Sequence, residues 1–92
     1  MSEYRLTKLD RRYNGYGVYD YVVEPGWVNI KRGRPATFIQ WRAWAWETFG
    51  AGCELELVKD METKPKWAWF TEFNHLRLYL TEESLTLFKL RW

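Results

Sequence analysis

The stretch from Pro35 to Gly50 constrains this chain more than any other. Phe38, Trp41, Ala45, Thr48 and Phe49 recur at helical spacing, flanked by Ile39, Trp44 and Trp46, with only Gln40 and Glu47 clearly polar. Pro35 suits a first helical turn, where its missing N–H is not needed. Gly50 offers the left-handed residue that commonly ends a helix. The pattern predicts a helix over 36–49 whose apolar arc is wider than one sheet face needs. Such a helix is covered by a second layer or lends one edge to an interface. The aromatic share is 20% overall, with seven Trp, six Tyr and five Phe, so a short chain builds its core from a few large side chains. That load excludes disorder.

The remaining elements are predicted from alternation and turn chemistry. Tyr4 to Leu9 reads as a strand with Tyr4 and Leu6 on one face, and Asp10 to Gly17 as turns. Val18 to Glu24 and Trp27 to Lys31, split by Pro25-Gly26, read as a hairpin pairing Tyr21 with Ile30, Val23 with Val28 and Asp20 with Lys31. Cys53 to Val58 alternates, with Cys53, Leu55 and Leu57 inward and Glu54 and Glu56 outward. Lys59 to Lys66 is a loop. Trp67 to Leu80 reads as a second hairpin turning at Asn74-His75. Its pairs are Trp69 with Leu80, Thr71 with Leu78, Phe73 with Leu76, Phe70 with Tyr79 and Glu72 with Arg77. Thr81, followed by Glu82 and Glu83, is a candidate N-cap of a short C-terminal helix. From Phe88 through Leu90 to Trp92 the period falls to two, as for a returning edge strand. The expected fold is α+β: a single domain over residues 1–92, mainly an antiparallel sheet of five or six strands with the Trp-rich helix across one face.

Charge and chemistry bound the function. The net charge is +2. Residues 1–35 hold seven Lys or Arg against four acids, and residues 53–62 hold four acids against Lys59 alone, so a basic end and an acidic patch are expected. One cysteine, Cys53, excludes an internal disulfide. It starts an amphipathic strand, far from the only histidine, His75, and reads as core rather than nucleophile. His75 reads as a turn residue. One Cys and one His make a poor zinc site. Glu54, Glu56, Asp60 and Glu62 read as solvated charge before they read as metal ligands. No apolar run approaches the ~20 residues of a membrane span, and Met1 to Leu9 lacks the apolar stretch of a secretory leader. No catalytic constellation, metal site or cofactor-binding loop is present in the pattern, which argues against an enzyme and against a small-molecule substrate.

Two binding surfaces remain. One is aromatic: Trp44, Trp46 and Trp92 on the helical segments, with Phe70 and Tyr79 on the outer sheet face, suited to a protein partner or a second copy. The other is the basic run Lys31, Arg32, Gly33, Arg34 and Pro35, whose Arg-Gly-Arg-Pro core resembles an AT-hook; that resemblance implies two Arg side chains along a narrow A·T minor groove.

Two longer segments carry a further resemblance. Phe38-Ile39-Gln40-Trp41-Arg42-Ala43-Trp44-Ala45-Trp46-Glu47-Thr48-Phe49-Gly50 with Cys53-Glu54-Leu55, and the ending Tyr79-Leu80 through Phe88-Lys89-Leu90-Arg91-Trp92, resemble small uncharacterised proteins of T-even-like tailed bacteriophages. The resemblance implies a phage product in the cytoplasm of the infected bacterium, or a minor virion component, and carries over no functional residue. The reading that follows is a non-catalytic accessory protein that binds a host or phage protein, or itself, through its aromatic patch. A DNA-binding accessory role through Lys31–Pro35 is the alternative.

Overall fold

The computed structural model describes residues 4–25, 33–72 and 75–92. Among the described residues five strands form one sheet: β1 (Tyr4–Lys8), β2 (Tyr21–Pro25), β3 (Cys53–Glu54), β4 (Trp67–Glu72) and β5 (His75–Leu80). Their spatial order is β1-β2-β5-β4-β3, antiparallel throughout except for the short parallel pair β3–β4. The helices are α1 (Gly33–Phe49), α2 (Leu55–Val58) and α3 (Glu82–Arg91). The architecture is therefore α+β, as the alternating elements predict.

The alternation of each strand sends two sets of side chains to opposite faces. Val23, Leu78, Leu80 and Trp67 meet Phe38, Trp41 and Ala45 of α1 and Leu85 and Phe88 of α3 in one core cluster. Trp41 is its centre. Its ring makes edge contacts with Tyr4 of β1, Phe38 of α1 and Phe88 of α3 at centroid distances of 6.0, 6.4 and 5.0 Å. The second face carries a smaller cluster. Leu9, Tyr19, Val22, Ala68 and Tyr79 are roofed by the turns after β1 and by Leu55 and Val58 of α2.

α1 stops where expected. Gly50 has φ +92° and its N–H donates to the Trp46 carbonyl at 3.0 Å. α1 starts earlier than expected, because Gly33, Arg34 and Pro35 already form its first turn. Thr81 caps α3 by accepting from the Ser84 N–H.

Four expectations are corrected. β2 does not pair within a local hairpin: Tyr21 lies between Lys8 and Leu80, and Val23 between Leu6 and Leu78, so both edges are taken. The expected partners Val28, Ile30 and Lys31, with Trp27, lie outside the described residues. The β4–β5 register is offset by two, with Trp69 opposite Leu78, Phe70 opposite Arg77 and Glu72 opposite His75; Phe73 and Asn74 lie outside the described residues. Glu72 is thus not the neighbour of Arg77, nor Phe70 of Tyr79. The faces are unchanged, since a shift of two preserves side-chain parity. Third, Cys53 to Val58 is a strand for two residues only. α2 then buries Leu55 and Val58, which are i and i+3, and leaves Leu57 exposed. Finally, the C-terminus is no edge strand: α3 continues to Arg91, burying Ser84, Leu85 and Phe88 on one helical face.

Candidate protein-binding face

The wide apolar arc of α1 divides into three parts. Phe38, Trp41 and Ala45 face the sheet. Trp44 turns towards α3, with its ring edge-on to Phe88 at 5.9 Å and to Trp92 at 6.5 Å. α3 is therefore the second layer that the helix requires. Trp44 and Trp92 are half-buried partners in that layer rather than a free surface. The indole N–H of Trp92 is buried and meets no acceptor among the described residues.

The rest of the arc stays open. Ile39 is 64% exposed and Trp46 53% exposed, and Ala43 lies exposed between them, with Ala43 and Trp46 at i+4 and i+7 from Ile39. A groove of about 360 Å³ runs beside this stripe, lined by Ile39, Arg42, Ala43, Trp46 and Trp67. Its floor is rigid for a local reason. Trp67 is fully buried, and its indole N–H donates to the Gly50 carbonyl at 2.9 Å. The chain leaving α1 then passes flat against the ring, so that a Cβ on Gly52 would come within 2.6 Å of it. Trp46 stands edge-on to Trp67 at 6.3 Å. Among the described lining residues Arg42 is the one that is charged. Its guanidinium stacks over Trp69 at 4.4 Å, a cation–π placement that holds the charge beside apolar surface.

The open part of the opposite sheet face is chemically different. Arg5, Glu24, Arg77 and Phe70 form a row across four strands. Glu24, with a side chain 11% exposed, sits 3.1 Å from Arg5 Nη2 and 3.7 Å from Arg77 Nε. The guanidinium of Arg77 also lies 5.8 Å from the Phe70 ring centre. Glu24 thus pairs with both arginines of the row, which keeps a net charge of +1. Tyr79 is not free at this surface: it is 3% exposed, packed against Tyr19, and burial raises its phenol pKa. Phe70 is half-buried and lines a hollow with Glu54, Glu56 and Thr71. Acid beside that ring opposes a nucleic-acid backbone.

Of the remaining candidates, Lys31 and Arg32 lie outside the described residues. Gly33, Arg34 and Pro35 are helical at the start of α1 rather than in a loop. Cys53 is partly buried, with its thiol 3.4 Å from the Met61 sulfur, and burial followed by the Glu54 charge raises its pKa. His75 is the exposed first residue of β5. Among the described residues no three His, Cys, Asp or Glu side chains converge on a metal position, and no helix is long and apolar enough to cross a membrane. Sequence reasoning singled out Trp46 but not Ile39, Ala43, Arg42 and Trp67 around it. The i, i+4, i+7 spacing of Ile39, Ala43 and Trp46 was the signal that could have found them. Against known proteins, no family model, no curated protein and no solved structure matches this chain.

Proposed function

We propose that this chain is a non-catalytic protein-binding module that engages its partner through the outer face of α1. The observation that carries this reading is the pairing of Ile39 and Trp46. Both are more than half exposed on one helix face, beside a groove floored by a fixed Trp67. Trp and Arg, here Trp46 with the half-buried Arg42, are among the side chains that dominate binding energy at protein interfaces. Covering them recovers roughly 25 cal/mol for each Å² of apolar surface removed from water. The setting we assign, on the resemblance of Phe38–Leu55 and Tyr79–Trp92 to T-even-like phage proteins, is an accessory role in the infected bacterial cytoplasm or a minor place in the virion.

Affinity capture from a bacterial host lysate supplemented with a differently tagged copy of this chain tests this reading. The expected result is a retained protein that is lost with Trp46→Ala and kept with Arg34→Ala. Loss with Arg34→Ala alone, together with tight and steeply salt-dependent binding to A·T-rich duplex, would instead support DNA binding by Lys31–Pro35.

A further inference from the structure

α3 carries an outward stripe that matches the groove of α1. Glu83, Leu87 and Leu90 repeat the i, i+4, i+7 spacing of Ile39, Ala43 and Trp46. Leu87 is 41% and Leu90 81% exposed, although the same helix buries Leu85 and Phe88 on its other side. Leu90 is the most exposed large apolar residue described. These two stripes on one chain, neither covered by the described residues, point to each other.

We infer that the occupant of the α1 groove is α3 of a second copy of this chain. The inference rests on reading the outer face of α1 as a docking surface. Shape supports it first. Ala43 leaves a gap between Ile39 and Trp46 that a leucine fills, and Leu87 stands at the middle of the α3 stripe. Charge complementarity supports it next. With Leu87 over Ala43, Glu83 lies one helical turn away, about 6 Å along the axis, and within reach of the Arg42 guanidinium. Among the described residues Arg42 is the one charge lining the groove, and it forms no ion pair. Glu83 is the acid that opens the stripe, one turn before Leu87 on the same face. Symmetry supplies the third argument. α1 and α3 pack on the same sheet face, and the proposed contact has each copy offer both its groove and its α3 stripe to the same partner. The contact is then reciprocal and closes as a two-fold dimer, without leaving a free end that would propagate a filament.

Sedimentation velocity of the full chain over a concentration series tests this. The parent dimerises. Ile39→Asp and Leu90→Asp, both on well-exposed side chains, each weaken the dimer by roughly 30-fold or more, as truncation of a side chain at the centre of an interface does. Arg42→Glu and Glu83→Arg each weaken it, and the two together restore it. Circular dichroism confirms that each variant stays folded. A parent that is monomeric at hundreds of micromolar (on the order of the weakest specific dimers) overturns the inference. So does a Leu90→Asp protein that dimerises as the parent does, which would mean that α1 meets α1 or another surface. Failure to restore the dimer in the double charge reversal overturns the Arg42–Glu83 pairing and the inference with it. If the parent is monomeric while Ile39→Asp still abolishes capture of another protein, the docking role of α1 stands and only the occupant is wrong.

Discussion

Trp41→Ala removes a side chain that ties β1, α1 and α3 together. The indole is 1% exposed, and its edge contacts reach Tyr4, Phe38 and Phe88. Those rings are anchored on three separate elements, so the void closes only if the elements move. Truncation of a buried Trp under such conditions costs about 3–5 kcal/mol. A domain of this size has roughly 5–14 kcal/mol in total, at ~0.05–0.15 kcal/mol per residue. With a urea slope near the low end of the usual ~1–3 kcal/mol per molar, the midpoint falls by about 2–4 M, and a marginal parent unfolds without denaturant. Trp46→Ala makes the same chemical change on a side chain that is 53% exposed; it costs about 1 kcal/mol or less, as surface truncations do. Gln40→Ala, exposed on α1, changes little. Equilibrium urea unfolding followed by far-ultraviolet circular dichroism separates the three. A Trp41→Ala midpoint equal to that of the parent, or a larger loss for Trp46→Ala, would refute the assignment of the buried and open faces of α1.

Other perturbations test the supporting structure. Tyr19 donates its hydroxyl to the Pro65 carbonyl at 2.9 Å, and burial, reinforced by Cys53, pushes its pKa upward from 10.0. Its neutral form is therefore favoured in the folded state. Stability is intact below pH 10 and falls above it, by up to about 1.4 kcal/mol per pH unit for each such tyrosine. Tyr19→Phe costs about 1 kcal/mol at neutral pH through the lost hydrogen bond, and its unfolding curve declines less steeply above pH 10. Gly50→Ala places a side chain at φ +92° in open space, so its cost of about 1–2 kcal/mol in a thermal melt is purely conformational. Gly52→Ala drives a Cβ into the Trp67 ring; it should weaken the melt and shift the Trp67 indole resonance together. Thr81→Ala removes the acceptor for the Ser84 N–H and costs about 1 kcal/mol.

What was legible in the sequence was local chemistry. The core stripe Phe38, Trp41 and Ala45, the stop at Gly50, the cap at Thr81 and the inward face of β1 each depend on spacing or on one residue's backbone preference. The misread parts share a different cause. The β4–β5 register shifts by two, and parity leaves both registers with identical faces. Cys53, Leu55 and Leu57 fit the alternation of a strand, and only the burial of Leu55 with Val58, at i and i+3, marks a helical turn. Phe88, Leu90 and Trp92 have period two, but Leu85 and Phe88 at i and i+3 are equally consistent with a helix. The partners of β2 are the most distant case. β5 follows it by about fifty residues, and no local signal separates that pairing from a hairpin closed at Pro25-Gly26. The candidate face was half legible, because Trp46 stood out while the groove beside it depends on Trp67 reaching α1 from another element.

Indole N–H nuclear magnetic resonance reads the central claim most directly. Each tryptophan gives one such signal, so the contact face is mapped without altering the chain. On adding the captured partner, or on concentrating the chain alone if the partner is a second copy, the Trp46 signal should move first and most. Trp67 beneath it should follow, and Trp41 should stay fixed. A Trp46 signal that does not move under saturating binding, with shifts confined to backbone amides around Arg34 or on the Arg5–Arg77 sheet face, would contradict the claim that α1 is the docking surface.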